Sequence, residues 1–492
     1  MIRETASREE LLEIIAVQEA MIAQLVASLA AQERISAEQQ ERLAALSAQV
    51  KALSDRLATD SHNSSKPPST DEPGAKPHPQ SQRVRQGRKP GGQPGHAGHT
   101  LRLVEKPDVV EVHSPGACGA CGQSLASVPA SAWERRQVVD LPPVRVQIVE
   151  HQVATKTCPG CGTRTGGAFP AGVTAPVQYG PGVSAIAVYL NQAQLLPLAR
   201  TCEVLGELFG CPVAEGTVER AVGQCFTQLA AVEAAIKAGI IQAGVVHFDE
   251  TGLRLGGGLA WLHVASTARL TYYAAHRQRG HGAVDDMDIL PGFTGRALHD
   301  GWATYWRYLQ CAHGLCNAHH LRELTFVAER LGQGWAQELA DLLREIKRAV
   351  DTARAQGEDA LAAERQQAFF ARYDALLAAG LLANPPPPPT GQRGRPKRGK
   401  AGSLVDRLQL RRAATLAFME DFTVPFDNNQ AERDIRMTKV RQKISGCFRT
   451  TIGADHFCRI RGYLSTLRKQ GLPLLSALRL TFAGTPPFPA TT

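Results

Sequence analysis

Apolar side chains recur at alternating four- and three-residue steps from about residue 8 to 58. They run through Leu11, Ile15, Ile22, Leu25 and Leu29, then Leu43, Leu46, Val50, Leu53 and Leu57. Glu, Gln, Arg and Lys flank this heptad seam, so the pattern predicts a long helix that self-associates as a coiled coil. An amphipathic helix folded back on its own protein has the same pattern. Residues 180–240 again read as helical. Leu196 to Phe209, ended by Gly210, and Ala214 to Leu229 make a pair that fits a helix-turn-helix or an ordinary helical hairpin.

After Gln242 the period becomes that of strands. Gly244 to Asp249 is a continuous apolar run ending in a carboxylate, as in a buried central strand. Leu253 to Leu255, the Gly256-Gly257-Gly258 turn and Ala260 to Val264 read as a hairpin, and Leu270 to Ala275 supplies a third strand. A short helical stretch around Val284 to Leu290 precedes Arg296 to Asp300, a fourth strand with its own terminal carboxylate. The expected order is three strands, helix, strand, helix, strand, helix. It suits a mixed α/β sheet of the ribonuclease-H type, with the first strand beside the fourth. From Leu331 to about Asp421 the chain is rich in Ala, Leu, Arg and Glu, as in helices inserted into that core. Asn384, five prolines and a basic stretch from Arg393 to Lys400 interrupt it.

Between helix and sheet the composition shifts twice. From Asp60 to about Thr100 the chain is basic and rich in Pro and Gly, with Arg83, Arg85, Arg88 and Lys89, and reads as an extended linker. Residues 101–170 carry Cys118-Gly-Ala-Cys121 and Cys158-Pro-Gly-Cys161. Each pair offers two thiolates on a tight turn, and four thiolates complete a tetrahedral shell for one structural Zn²⁺ ion. Gln147 to Lys156 alternates like a strand, which fits a zinc-ribbon-like module. The whole is a multidomain α+β chain: 1–59 coiled coil, 60–100 linker, 101–170 zinc-binding module and 171–240 helical DNA-binding region. Residues 241–330 form the first part of the core, 331–425 the helical insertion, and 426–492 the last part of the core with a basic tail.

The 492 residues hold 55 Lys and Arg against 46 Asp and Glu, a net charge of +9 that favours a polyanionic partner such as DNA. No run of about 20 apolar residues and no export signal is evident, so a cytoplasmic, nucleoid-associated protein without a membrane is expected. Eleven cysteines with no export signal point to metal rather than disulfides.

If the first and fourth strands are neighbours, Asp249 and Asp300 project side by side at the sheet edge. Two facing carboxylates repel unless a cation lies between them, and hard oxygen ligands select Mg²⁺ or Mn²⁺. A third carboxylate is needed to hold two ions. Asp427-Asn-Asn-Gln-Ala-Glu432-Arg-Asp-Ile-Arg436 supplies it. Asp427 or Asn428 caps a helix beginning at Gln430, which sets Glu432 in the first turn and Arg436 one turn later. Arg433, Arg436, Lys439, Arg441, Lys443 and Arg449 then line the path of a phosphate backbone. Glu250 faces the opposite side of the sheet, and Asp285, Asp286 and Asp288 read as a solvated helix face. Alternation puts His247 on Asp249's face, where it would orient rather than bind the ions, and His299 on the other.

Several motifs occur in one order: Asn63-Ser-Ser-Lys-Pro-Pro-Ser, Gly91-Gly-Gln-Pro-Gly-His, the paired CxxC units, Asp249-Glu-Thr, Asp300-Gly, Cys316-Asn-Ala-His319 and Asp427-Asn-Asn-Gln-Ala-Glu-Arg. Together they resemble the transposases of the IS-sixty-six insertion-sequence family, of the DDE class, over about residues 10 to 480. The resemblance implies a ribonuclease-H-like domain interrupted by a helical insertion, a metal-binding triad on Asp249, Asp300 and Glu432, and in-line phosphoryl transfer with two metal ions. It implies transposon ends and target DNA as partners, with accessory proteins of the same element as a further partner class. Cys316 and His319 match a Cys-x-x-His signature of such transposases; buried packing is the alternative. Cys311 and His313 nearby would complete a second zinc site. The tail from Ile444 to Thr450 departs from the wording of many relatives. Two other classes compete: a zinc-containing DNA-binding regulator without catalysis, and a two-carboxylate hydrolase such as a glycosidase, to which 6% aromatic content gives little help.

Overall fold

Ser7 and Glu10 cap the first helix reciprocally. The Ser7 amide donates to Glu10 Oε2 at 2.9 Å, and the Glu10 amide donates to Ser7 Oγ at 3.3 Å. From this box helix α1 runs over Arg8–Leu57, 50 residues and about 75 Å at 1.5 Å per residue. The seam from Leu11 to Leu53 lies exposed along it. Among the described residues one helical stretch, Arg8–Ser47, is long and apolar enough to cross a membrane by length and composition alone. That corrects the reading of no such run: between Leu11 and Gln32 the only charged residues are Glu13 and Glu19. A coiled-coil seam has the same composition, and one such helix is weak evidence of a membrane span.

The structure, a computed structural model, describes residues 7–57, 59, 63–64, 101–142, 144–387 and 398–491, without the side chains of residues 48, 51–52 and 55–57. The basic linker, apart from Asn63 and Ser64, and most of the Pro-rich basic loop therefore lie outside the described residues.

In the cysteine-bearing segment, β1 (Thr155–Thr157) pairs antiparallel with β2 (Arg164–Gly166). The strand expected from Gln147 is thus shorter and later, because only Thr155–Thr157 finds a ladder partner. Four helices follow: α2 (Pro181–Val188), running on through a π-turn to Ala193, α3 (Leu198–Phe209), α4 (Glu215–Gln228) and α5 (Ala230–Ile241). Gly210, at φ 58°, ends α3 in the left-handed conformation that favours glycine.

The main sheet has five strands: β3 (Val245–Leu255), β4 (Gly258–Ser266), β5 (Thr271–His276), β6 (Arg296–His299) and β7 (Ala312–Leu315), in the order β5-β4-β3-β6-β7. The first three form an antiparallel meander, whereas β6 and β7 join in parallel. The first strand lies beside the fourth, as the pattern led one to expect. Gly295 permits it: a Cβ there would meet the carbonyl oxygens of Ala243 and Gly244 at 2.6 Å.

Two expectations are corrected. The run to Asp249 and Leu253 to Leu255 belong to one unbroken 11-residue strand, Val245–Leu255, since β4 pairs with it from His247 through Leu255 without a break. No α-helix separates β6 from β7; a 3₁₀ turn, Ala303–Arg307, does so instead. The stretch around Val284 is α6 (His281–Met287) followed by a short 3₁₀ turn.

Alternation along the strands gives the sheet two apolar faces. Val246, Phe248, Ala265 and Ala297 pack on one side with α5, α6, α13 (Thr451–Lys469) and α14 (Leu474–Phe482). Leu253, Leu255, Leu262, Val264 and Tyr273 face the other side, against α12 (Asn429–Ser445). Leu298 joins that second side to a helical core from α7 (Asn317–Leu331), α8 (Gly334–Ala355), α9 (Ala363–Ala383), α10 (Lys400–Leu410) and α11 (Arg412–Glu420). The chain is thus a mixed α/β, multidomain protein in which the last helices return to the sheet that the first strands began.

Candidate active site

Asp249 lies where the central strand loses one neighbour. The parallel ladder to β6 ends at His247 and Leu298, while β4 continues on the other side with Val264 opposite Asp249. Its Oδ1 accepts the Glu250 amide at 2.8 Å. Asp300 follows β6 directly and is exposed; its Oδ1 accepts the Trp302 amide at 2.8 Å across Gly301, whose φ is 95°.

A chain of neutral imidazoles holds this turn. The Gly301 amide donates to His299 Nδ1 at 3.0 Å, so the ring proton is on Nε2, which donates to His313 Nδ1 at 3.0 Å. His313 Nε2 then donates to the Tyr308 carbonyl at 3.1 Å. Burial pushes both histidines below their usual range, in keeping with neutral rings. His313 is thereby committed to His299, and the Cys311 thiol donates to the Tyr308 carbonyl. The second zinc site imagined with Cys311 and His313 does not form.

Glu432 sits in the first turn of α12. Asn428 is the residue before that helix, but its side chain does not cap it. Its Nδ2 donates to the Phe248 carbonyl at 2.8 Å, which leaves Oδ1 to accept from His247 Nδ1 at 2.9 Å. Its backbone amide donates to Cys316 Sγ at 3.1 Å, and Asp427 Oδ1 takes the Asn429 amide instead. Asn428 is thus a buried pin between the strand of Asp249 and the helix of Glu432. Sequence reasoning treated it only as a cap; the signal was the first of two asparagines before an acidic helix start.

Electrostatics joins the three carboxylates. Burial first, then Glu250, Asp300 and Glu432, hold the Asp249 carboxyl well above the usual range. Burial also raises Glu432, helped by Asp427 and Asp300 and opposed by Arg322 and Arg436. Glu250 faces away, as alternation requires, and is buried under its own partners. Arg279 donates to its Oε1 at 3.0 and 2.6 Å and the Tyr305 hydroxyl to its Oε2 at 2.6 Å. Arg279 in turn lies 4.8 and 4.4 Å from the ring centres of Trp261 and Trp302. The three aspartates of the α6 region are also paired, with Tyr308, His276 and Lys237.

Of the basic residues after Glu432, Arg433, Arg436, Lys443 and Arg449 are exposed. Arg436, Lys439 and Lys443 follow Glu432 by 4, 7 and 11 positions, one stripe of the helix. Lys439 is tied back, its Nζ donating to the Gly252 carbonyl at 2.6 Å. Arg441, expected beside a phosphate backbone, packs against an aromatic ring. Its guanidinium lies 3.7 Å from the centre of the Phe448 ring, and burial lowers it to about 10.

Cys316 precedes α7 and His319 stands in its first turn; both come against Glu432. In the cysteine segment the two knuckles match: Cys118 and Cys158 each donate an amide at 2.8 Å to the residue five on, and each accepts at 2.9 Å from Gly122 or Gly162. Both glycines have positive φ, 75° and 73°. Hydrogen bonding lowers both Cys118, through Cys121 first, and Cys161, through Thr163 first and then Cys158. The sulfurs of the two knuckles are not drawn together as tightly as the Cys316, His319 and Glu432 donors are.

A five-stranded mixed sheet to which helices return after a long helical insertion, matched by the model of a DDE transposase, marks an enzyme of the DDE type, one that cuts DNA. The chain belongs to the transposase IS66 family, whose model matches residues 176–456, more than half of its length. The zinc-finger binding domain of transposase IS66 matches residues 115–162, which hold both cysteine pairs, and a family of unknown function matches residues 8–102. No curated protein matches the chain. The protein is therefore a transposase with a zinc finger and DNA as its partner, and the readings as a non-catalytic regulator or a glycosidase are set aside.

Proposed function

We propose that Asp249, Asp300 and Glu432 hold two divalent ions, Mg²⁺ or Mn²⁺, at the edge of a ribonuclease-H-like core, and that the protein there cuts DNA at the element ends and joins it to a target. The observation that carries this reading is the Asp249 carboxyl, raised by burial and by three other carboxylates, with no cationic neighbour among the charges that act on it most. Such a group is at ease only when protonated or when a cation lies beside it. When bound, the ions would activate the attacking water or 3′-hydroxyl and stabilise the leaving oxygen. The chain's own part is to present three fixed carboxylates. The His299–His313 relay holds the turn of Asp300, and Asn428 holds the start of the Glu432 helix. Arg433, Arg436, Lys439, Lys443 and Arg449 would position the phosphate backbone beside them.

The matched knuckles suit one structural Zn²⁺ on Cys118, Cys121, Cys158 and Cys161. The exposed seam of α1 suits a homo-oligomeric coiled coil over residues 1–59, and α3 with α4 suits a helix-turn-helix within a DNA-binding region over residues 171–240. Residues 60–100 would tether the two ends, 331–425 would be the insertion, and 241–330 with 426–492 the core. The protein would work on the nucleoid in the cytoplasm, with any accessory proteins of the same element.

The test is Asp300→Asn with DNA carrying the element ends, in Mg²⁺. Cutting should vanish while binding of the same DNA persists. Undiminished cutting would overturn the reading.

A further inference from the structure

Cys316 and His319 leave the same end of α7, because a cap residue and the third residue of a helix lie one turn apart. α12 brings Glu432 to that end. The Cys316 sulfur, a ring nitrogen of His319 and a carboxylate oxygen of Glu432 all lie within 4.8 Å of one another. His319 Nδ1 and Glu432 Oε1 face each other at 3.8 Å, beyond hydrogen-bond distance, and both atoms are buried with no hydrogen-bond partner. Buried polar atoms normally find partners, and two that face each other unpaired beside a thiol leave room for a shared one.

We propose that Cys316, His319 and Glu432 form a three-ligand site for a thiophilic divalent ion, zinc above all, distinct from the four-cysteine site, and that filling it draws Glu432 away from the two aspartates. A thiolate and an imidazole select zinc over magnesium, and three protein ligands with an open fourth position are a common zinc arrangement. Burial keeps the Cys316 thiol protonated, up to about 12, and His319 neutral, down to about 4. Binding therefore releases one proton from the thiol to solvent, and the imidazole needs to lose none. Arg322 and Arg436 oppose a cation here, whereas Asp300 and Asp427 favour one. The metal site stands on these three side chains alone. Only its consequence, zinc inhibition of cutting, rests on Glu432 being part of the triad.

The test is to strip the full-length chain of metal and reload it with Co²⁺, whose absorption reports the ligands. Two thiolate-ligated equivalents are expected, one with the spectrum of four thiolates and one with a single thiolate, beside any weakly absorbing Co²⁺ held by carboxylates alone. Cys316→Ser should lose the second and keep the first. His319→Cys should keep both and strengthen the sulfur-to-cobalt band, a gain that misfolding cannot produce. A wild-type spectrum without the single-thiolate equivalent, or one unmoved by His319→Cys, would overturn the site. In Mg²⁺, added Zn²⁺ should suppress cutting, and the concentration that halves each protein's own zinc-free rate should rise about tenfold or more in Cys316→Ser. Cobalt bound as expected without zinc inhibition would leave the metal site standing and overturn the sharing of Glu432.

Discussion

His247 Nδ1 donates to Asn428 Oδ1 at 2.9 Å, a buried bond that closes 181 residues of chain. It joins the strand of Asp249 to the start of the Glu432 helix, with the insertion looped between them. The pin aligns two carboxylates without touching either, and it has only one amide orientation, because the Asn428 Nδ2 is committed to the Phe248 carbonyl.

Asn428→Ala should therefore slow DNA cutting by roughly 10- to 100-fold, the usual cost of losing an orienting partner at a metal site. Affinity for the same DNA should change little, since the proposed phosphate contacts lie further along α12. His247→Gln, which can still donate to Oδ1, should retain more activity than His247→Ala. Equal cutting by Asn428→Ala and the wild type in single-turnover assays would refute the pin.

Asp249→Asn should abolish cutting yet raise the melting temperature of the metal-free protein at pH 7.5. The folded Asp249 carboxyl is raised, so the stability lent by its protonated form is lost as pH rises through that raised value. A neutral amide removes the repulsion. Mg²⁺ should raise the melting temperature of the wild type and not of the variant. A lower melting temperature for the metal-free variant would count against the repulsion.

Acid should destabilise the fold from about pH 6.5 downward. Burial drives His263 to about 4 and His320 to about 3, both from 6.5. The unfolded chain thus binds protons first, and the stability present above pH 6.5 is lost as pH falls toward these values. His320→Gln should flatten the slope of unfolding free energy between pH 6 and about 4 relative to the wild type. An unchanged slope would show that His320 is not held neutral.

Glu250→Ala should cost about 1 to 3 kcal/mol of stability, because it strands the buried Tyr305 hydroxyl, while Arg279, its side chain 39% exposed, turns to solvent. Chemical denaturation measures this directly. A loss below about 1 kcal/mol would mean that the pair is effectively solvated.

Local pattern carried much of this site. A continuous apolar run from Gly244 marked the central strand, and the spacing from Asp427 to Arg436 put Glu432 in a first helical turn, where it stands. The strand was read as ending at Asp249 because Asp249, Glu250, Thr251 and Gly252 look like a break; they are polar since they serve the site and its supports rather than the core. The helix expected between β6 and β7 gave way to a 3₁₀ turn whose Tyr305 ring stacks on His299 at 4.6 Å. Arg441 looked like its exposed neighbours, and only the fold could set it on Phe448. The meeting of Cys316 with Glu432, and of His247 with Asn428, depends on how the insertion closes, which no local period encodes.

The most direct test of the shared-metal triad is a change of metal preference. Asp249→Cys replaces a hard oxygen ligand with a softer sulfur, so cutting of element-end DNA should fall below detection in Mg²⁺ and return in part in Mn²⁺, which tolerates sulfur better. Cutting by Asp249→Cys that is equal in the two metals, or that matches the wild type in Mg²⁺, would contradict the account.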